Sequence, residues 1–221
     1  MSPSAAAITE VGGLPAIIDG PAHASSTLVL AHGAGAGMDH AFMEAVALGV
    51  AAAKVRVVRF EFPYMAARRE GRRPGPDREP VLRESWHRVV EALGGRDRLV
   101  IGGKSMGGRS ASMVADDPGM GDVAGVVCLG YPFHPAGRPD RLRTAHLETL
   151  RTPALILQGE RDPMGTRADV EGYRLARTIE VRWLDDGDHS FKPRKASGAT
   201  EAGNLDAAIE ATVDFVRRVT A

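Results

Sequence analysis

The sequence predicts an α/β protein whose doubly wound, mostly parallel sheet is covered by helices on both faces. Short β-branched runs that end in glycine alternate along the chain with longer segments of helical spacing. The strand-like runs are apolar at nearly every position, which is typical of strands buried on both faces of a sheet. In such a fold the loops at the carboxyl ends of the strands carry the chemistry. The 221 residues are expected to form a single domain, 1–221.

The first half of the chain contains a β-loop-α unit. The run "TLVLAHGAGAG" predicts a strand that enters a glycine loop, and residues 38–54 then have apolar positions at helical spacing. "VRVVRFEFPY" predicts the next strand, followed by an Arg/Pro/Gly-rich loop over 66–79 and a helix over Pro80–Leu93 that has proline at its start. Upstream of these elements, "LPAIIDGP" predicts an edge strand.

The second half continues the alternation. "RLVIGGKSMGG" predicts a strand that turns directly into a helix ending near Ala115. "DVAGVVCLGYPF" and "PALILQGERD" predict two further buried strands, and the irregular segment 134–152 between them has only about twenty residues, too few for a large helical lid. "TIEVRWLDDGDHSF" predicts another strand, and residues 204–219 predict a strongly amphipathic closing helix.

Composition narrows the range of partners and locations. Lys plus Arg (28) equals Asp plus Glu (28), so the charge balance gives no reason to expect nucleic acid or an anionic membrane as a partner. No apolar run approaches the ~18 residues of a membrane span, and the N-terminus lacks the pattern of a signal peptide, so we expect a cytoplasmic protein. The single cysteine, Cys128, lies in an apolar run and is expected to be a small buried hydrophobe. The oligomeric state does not follow from the sequence.

The stretch "LVIGGKSMGG" (99–108) combines two motifs that assign different chemistry to Ser105. A phosphate-binding loop would need glycine at the position of Arg98, and residues 99–101 are strand residues that leave no glycine loop to wrap a phosphate. The pattern G-x-S-x-G is complete from Gly103 to Gly107, directly after a strand and directly before a helix. This context predicts a nucleophile elbow with Ser105 as the nucleophile.

A nucleophilic serine needs a base and an acid, which follow it along the chain in the order Asp or Glu, then His, in this class of fold. Asp162 stands at the end of the strand-like run "ALILQGERDP", and His189 lies in "DDGDHSF" after the next predicted strand. Loops after neighbouring parallel strands converge at one sheet edge, so these residues can meet Ser105. We favour Asp162 as the acid because it ends a separate apolar strand. Three aspartates nearer His189 remain alternatives: Asp185, Asp186 and Asp188.

An oxyanion hole would complete the site. Its donors are conventionally the backbone N–H after the nucleophile, here Met106, and one from the loop of an early strand. The glycine loop 31–37 follows the first confident strand, and Ala34 is our choice for the second donor, with Gly33 close behind. "GAGAG" in this loop lacks the G-x-G-x-x-G spacing of a dinucleotide site. We therefore expect no cofactor and no metal.

These motifs together resemble the α/β-hydrolase superfamily, and within it the small lidless branch related to dienelactone hydrolase. "LAHGAGAGMDHAFM", "GGKSMGGR", "LILQGERDPMG" and "DGDHSFKPRK" look like a family of uncharacterised predicted hydrolases. The resemblance implies an α/β-hydrolase fold, a triad of Ser105, Asp162 and His189, and an oxyanion hole at the early glycine loop. Dienelactone hydrolase itself has a cysteine nucleophile, so its substrate is not carried over.

Two functions follow as expectations. The first is a cofactor-free serine hydrolase that cleaves a small ester or thioester through an acyl-enzyme on Ser105. The alternative is a catalytically inert module that binds a protein or small molecule, because animal relatives of the resembled family include a subunit of a chromatin acetyltransferase complex. Lys104, which departs from the His or aromatic residue of many esterases, either shapes the pocket or faces solvent. Four polar residues follow the strand predicted for "DVAGVVCLGYPF": His134, Arg138, Arg141 and Arg143. They either border the pocket or lie in a solvated loop, and we favour the solvated loop.

Overall fold

The computed structural model describes residues 7–95 and 98–221, so the first six residues of the N-terminal segment lie outside the described part. Eight strands form one sheet in the order β1-β2-β4-β3-β5-β6-β7-β8. The strands are β1 (Thr9–Val11), β2 (Leu14–Asp19), β3 (Thr27–Ala31), β4 (Arg56–Phe60), β5 (Leu99–Lys104), β6 (Gly125–Leu129), β7 (Ala154–Gly159) and β8 (Ile179–Leu184). β4, β3 and β5 to β8 are parallel, while β1 pairs antiparallel with β2 and β2 with β4. The predicted mostly parallel sheet is confirmed.

Helices cover both faces of this sheet, as predicted. They are α1 (Ala41–Ala52), α2 (Pro63–Arg69), α3 (Glu79–Leu93), α4 (Met106–Val114), α5 (Arg167–Val170) and α6 (Glu201–Val219). Helices α1 and α6 pack together on one face, and α3 and α4 pack together on the other. The sheet, including the carboxyl ends of its parallel strands, therefore lies between two layers of helices.

The central strands are apolar throughout because each face of the sheet has its own core. In β3, Leu28 and Leu30 lie in the core under α1 and α6, whereas Val29 and Ala31 lie in the core under α3 and α4. The same alternation continues in the neighbouring strands, since successive side chains of a strand point to opposite faces. Cys128 of β6 is one of these core residues, as predicted, and burial raises the pKa of its thiol.

Two expectations about local structure are wrong. The run "LPAIIDGP" forms β2, but β2 is not the edge of the sheet, because the short strand β1 pairs with its outer side. The predicted loop 66–79 begins inside helix α2, which starts at Pro63 and buries Tyr64, Met65 and Ala67. Proline at the first helical position is favourable, and the buried side chains hold this short helix against the core.

The segment between β6 and β7, every residue of which is described, contains no helical lid. Its one regular piece is a single 3-10 turn over Ala145–Glu148. No helix in the described ranges combines the length and apolar character needed to cross a bilayer.

A buried ion pair connects the outer strands with the loop that follows β3. Arg59 on β4 binds both carboxylate oxygens of Asp19 on β2, at 2.8 and 3.0 Å, and its third donor binds the carbonyl of Met38 at 2.8 Å. Glu61 accepts the backbone N–H of Met38 at 3.2 Å and pairs with Arg69 of α2. The loop is thus held at both backbone groups of Met38 before α1 begins.

The close approach of β5 to β6 depends on Gly102, and its substitution is our first prediction. A Cβ at this position would overlap with the carbonyl of Val127 on β6. We expect Gly102→Ala to lower the free energy of unfolding by about 3 kcal/mol, because two strands must separate to admit the methyl group. Gly75→Ala is the matched control, since a Cβ at Gly75 would meet no atom within 4 Å. Equal urea unfolding midpoints for the two variants would contradict this account.

Candidate active site

Ser105 occupies a strained turn between β5 and α4. Its backbone has φ 51° and ψ −111°, a conformation that is rare for a residue other than glycine. The glycines on either side are required by space, because a Cβ at Gly103 or at Gly107 would overlap with the carbonyl of Ala31 on β3. The turn therefore has the geometry that the G-x-S-x-G pattern predicts, with the serine at the amino end of a helix.

The structure brings Ser105, His189 and Asp162 together in one hydrogen-bonded row. Nε2 of His189 lies 2.9 Å from Oγ of Ser105, and Nδ1 lies 2.7 Å from Oδ2 of Asp162. Because a carboxylate accepts, Nδ1 carries the proton and Nε2 is left to accept from the serine hydroxyl. The Asp162 side chain is fully buried, whereas 24% of the His189 side chain is exposed. The imidazole of His189 is thus partly accessible to solvent, whereas the carboxylate behind it is not.

Asp162 is oriented by two donors from its own strand and turn. Nε2 of Gln158, a buried residue of β7, donates to Oδ2 at 2.9 Å, and the backbone N–H of Met164 donates to Oδ1 at 2.8 Å. Sequence reasoning missed Gln158, although a single amide inside the apolar run "ALILQG" was a signal. These bonds fix the carboxylate against the imidazole.

Two of the aspartates nearer to His189 in sequence, Asp186 and Asp188, have other partners. Asp186 pairs with Arg161 and Arg194, which lowers the pKa of its carboxyl to about 2, with the Arg194 hydrogen bond as the main cause. Asp188 accepts the backbone N–H groups of the two residues that enclose the next turn, Ser190 and Lys192. The imidazole is therefore in contact with Asp162, the aspartate that ends a separate strand.

The glycine loop passes beside the nucleophile. A Cβ on Gly33 would lie 3.9 Å from Cβ of Ser105. The hydroxyl of Tyr64 donates to the carbonyls of both Gly33 and Ala34 at 3.1 Å, so these carbonyls are held toward α2. The N–H groups of Ala34 and Met106 have no acceptor within the described ranges, and both stay available for a ligand. Tyr64 was missed from the sequence.

His32 fixes the start of the same loop. It is fully buried, its Nε2 accepts the backbone N–H of Phe62 at 3.1 Å, and its Nδ1 lies 2.7 Å from the carbonyl of Gly33. Since Nε2 must accept, the ring is neutral with its proton on Nδ1. Burial lowers the pKa of His32, against the smaller opposing influence of the Gly33 carbonyl. Phe62 and Tyr64 contact the ring edge-on.

A cavity of about 370 Å³ opens above Ser105 and His189. It has a glycine-loop wall, an apolar wall from Phe42, Met43 and Met164, and a cationic group, Lys104. Lys104 therefore shapes the pocket, one of the two alternatives raised by the sequence. His40 and Ser190 also line the cavity and carried no sequence signal. A larger cleft of about 510 Å³ lies beside the starts of β6 and β7, at the opposite end of these strands from Ser105.

The polar segment after β6 turns away from this cavity. Arg138 and Arg141 are exposed, His134 is buried, and Arg143 is partly buried; none of the four lines the cavity above Ser105. The backbone N–H of Arg143 donates to the carbonyl of Phe133, and that of His134 donates to Met164. These bonds fold the segment back on itself, so for Arg138 and Arg141 the solvated-loop interpretation agrees with the structure.

A family model described as an alpha/beta hydrolase domain matches residues 24–217. The chain belongs to the α/β-hydrolase superfamily. Similar solved structures are an alpha-beta serine hydrolase homologue from Coxiella burnetii (18% identity, 97% of each chain covered, TM-score 0.69), a dienelactone hydrolase from Anabaena variabilis (20% identity, 97% of this chain and 96% of that one, TM-score 0.68) and a lidless serine hydrolase from Xanthomonas campestris (19% identity, 98% and 95%, TM-score 0.68). At these low sequence identities, the likeness to the solved structures shows a shared fold and nothing more.

The second prediction concerns the protonation of His32 in this α/β-hydrolase. Because burial lowers its pKa, we expect the imidazole to stay neutral as the pH falls through the ordinary histidine pKa. The unfolded chain binds that proton more readily, so this residue makes the free energy of unfolding fall as the pH decreases. Imidazole ¹⁵N spectra should keep the pattern of an Nδ1–H tautomer throughout. A shift to the imidazolium pattern near pH 6 would contradict this assignment.

Proposed function

We propose that this α/β-hydrolase is a serine hydrolase that cleaves a small ester or thioester through an acyl-enzyme on Ser105. The observation that carries the proposal is the unbroken hydrogen-bonded row from Ser105 through His189 to the buried Asp162, at the floor of an open cavity. A serine hydroxyl is a weak nucleophile until an adjacent base removes its proton, and this row supplies that base and its orienting acid.

In the first step of the proposed reaction, Nε2 of His189 takes the Ser105 proton while Oγ attacks the acyl carbon. The imidazolium that forms is stabilised by the Asp162 carboxylate at 2.7 Å. Gln158 and the N–H of Met164 keep that carboxylate in place, so the imidazole has little freedom to rotate away from the serine. His189 then gives the proton to the leaving alcohol or thiol.

The negative charge of the tetrahedral intermediate falls on the acyl oxygen. The N–H groups of Met106 and Ala34, without acceptors in the described part of the chain, are the donors we assign to it, with Gly33 bordering the same position. Met106 opens α4, so the helix dipole adds to the attraction. In the second half of the reaction, His189 removes a proton from water, which attacks the acyl-enzyme and releases Ser105.

The shape of the site favours small or soluble acyl groups as substrates. The cavity holds about 370 Å³ and is open to solvent on one side, with a short apolar wall of Phe42, Met43 and Met164. The segment after β6 forms no lid over it. The similar solved structures include one named as a serine hydrolase and one named as a dienelactone hydrolase, which agrees with ester-type chemistry. We expect no increase in rate on emulsified long-chain esters relative to short soluble ones.

Covalent labelling tests the proposal directly. A fluorophosphonate probe reacts with an activated serine, so we expect one stoichiometric adduct on Ser105 of the folded protein. Ser105→Ala should give none, and heat-unfolded wild type should give none, because activation depends on the assembled row. Ser110, in the same helix but bonded to Trp86 and the Gly107 carbonyl, is the internal control. Folded protein without an adduct on Ser105 would favour the alternative of an inert binding module.

Substitution of the base gives a second test. We expect His189→Ala to lower kcat on a short soluble ester by ~10³-fold or more while the fold is preserved, because serine activation and proton transfer are lost together. In wild type, kcat/KM should rise with pH on the acid side of its profile, as the base must be neutral to accept a proton. His32→Ala is the demanding control. It should reduce activity through the glycine loop and leave the rise with pH in place, whereas loss of that rise would show that the base is misassigned.

A further inference from the structure

Lys104 is the residue before the nucleophile, and its environment is unusual for an ammonium group. Its Nζ donates to the backbone carbonyl of His189 at 2.5 Å. Nζ also lies over the rings of Phe42 and Phe191, 5.5 and 5.9 Å from their centroids. No carboxylate of the described residues lies within 4.0 Å of this group, so its direct polar partner in the protein is that carbonyl.

Such a position is energetically unfavourable for a charge. Lys104 is partly buried, so its ammonium loses part of its hydration, and one neutral acceptor with two aromatic rings makes up only some of that loss. Burial accordingly lowers the pKa of Lys104 to about 8, against the opposing influence of Asp162 and Asp188. An apolar side chain of the same length would fill the space between the two rings without this cost. The fold itself therefore does not require a lysine here.

Space for the contact is provided by Gly130, which follows β6 and has φ 69°. A Cβ at this position would lie 2.8 Å from the carbonyl oxygen of His189 and 2.9 Å from Nζ of Lys104. The approach of the ammonium to the carbonyl thus depends on the absence of a side chain at Gly130, in the turn after β6. Three segments of the chain meet at this one hydrogen bond: the end of β5, the turn after β6 and the loop after β8.

The loop that carries His189 has other bonds, but they hold it to different elements. Asn204 of α6 donates to the carbonyls of Asp185 and Phe191, and Asp188 closes the turn internally through the N–H groups of its neighbours. These bonds determine the shape of the loop and its attachment to α6. Lys104 attaches it to β5, the strand whose next residue is Ser105.

We propose that Lys104 is a positioning residue for the reaction at Ser105: its ammonium holds the backbone carbonyl of His189 and so keeps the imidazole in line between Ser105 and Asp162. This inference rests on the proposed serine hydrolase function. The nucleophile and the base are then joined through a single residue, since Lys104 is covalently bonded to Ser105 and hydrogen-bonded to His189. A small displacement of the base is expected to slow the reaction strongly, because proton transfer needs hydrogen-bond distance.

The charged and titratable groups that face this ammonium predict its pH dependence. They are Asp162 after β7, Asp188 and His189 in the loop after β8, and Ser105 at the start of α4. The hydrogen bond is charge-assisted only while Lys104 is protonated, which is the case below its pKa of about 8. Activity should therefore fall as the pH rises through about 8, on the alkaline side of the rise caused by His189.

The test compares Lys104→Met with the matched control Lys195→Met, which makes the same change at an exposed position. We measure the rate of fluorophosphonate labelling of Ser105 and the kinetics of a neutral and a carboxylate-bearing ester of similar size. Lys104→Met should label about ten- to a hundredfold more slowly, lower kcat for both esters by the same factor with little change in KM, and lose the alkaline fall. Lys195→Met should match wild type in each measurement.

Restoring the ammonium separates positioning from packing. Lys104→Cys treated with 2-bromoethylamine carries an ammonium at nearly the length of lysine, while the buried Cys128, whose thiol pKa is raised by burial, resists the reagent. A single adduct by mass spectrometry should recover the labelling rate and the alkaline fall. An unchanged labelling rate in folded Lys104→Met, a loss confined to the anionic ester, or no recovery after aminoethylation would overturn the proposal. Wild type that does not label would instead contradict the hydrolase function itself.

Discussion

The site depends on the close contact of the elbow with the carbonyl of Ala31. Two glycines, Gly103 and Gly107, approach this one oxygen from the end of β5 and the start of α4, and a side chain at either position would push the elbow away from β3. This contact keeps Ser105 at a positive φ, with its hydroxyl toward His189. Because the glycine loop begins directly after Ala31, the same contact sets the distance between the nucleophile and the loop that we assign to the oxyanion hole.

Several interactions from β4 and α2 hold that loop, and none of them involves a residue of the hydrogen-bonded row. Tyr64 holds the carbonyls of Gly33 and Ala34, and His32 holds that of Gly33 again. Arg59 and Glu61 hold the two backbone groups of Met38, just after the loop. A glycine-rich segment has high conformational entropy, so fixed N–H donors require external bonds of this kind. The buried charges of Arg59 and Asp19 serve this purpose while neutralising each other.

Near the base, His189, the structure contains a charged group in a position that is unfavourable for the stability of the fold. Lys104 is a partly buried ammonium close to two aromatic rings with a neutral partner, which is an unfavourable arrangement for a charge, yet it connects the elbow to the loop of His189. The positive φ of Ser105, a residue other than glycine, adds a second unfavourable element at the same point. Strain and desolvation that concentrate where a nucleophile and a base meet are typical of sites selected for geometry and not for stability.

The sequence by itself determined the sheet, its two apolar cores and the elbow, because these follow from periodicity and from the backbone demands of five consecutive residues. The order of Ser105, Asp162 and His189 along the chain also followed from it, as did the expectation that their loops converge. Tertiary structure alone decided that β1 pairs outside β2, that His189 contacts Asp162 and not Asp188, and that Lys104 borders the cavity and binds the carbonyl of His189. The physical reason is that such contacts depend on the paths of loops between strands that are distant in sequence. The local pattern of polar and apolar residues does not determine which of these paths a loop takes.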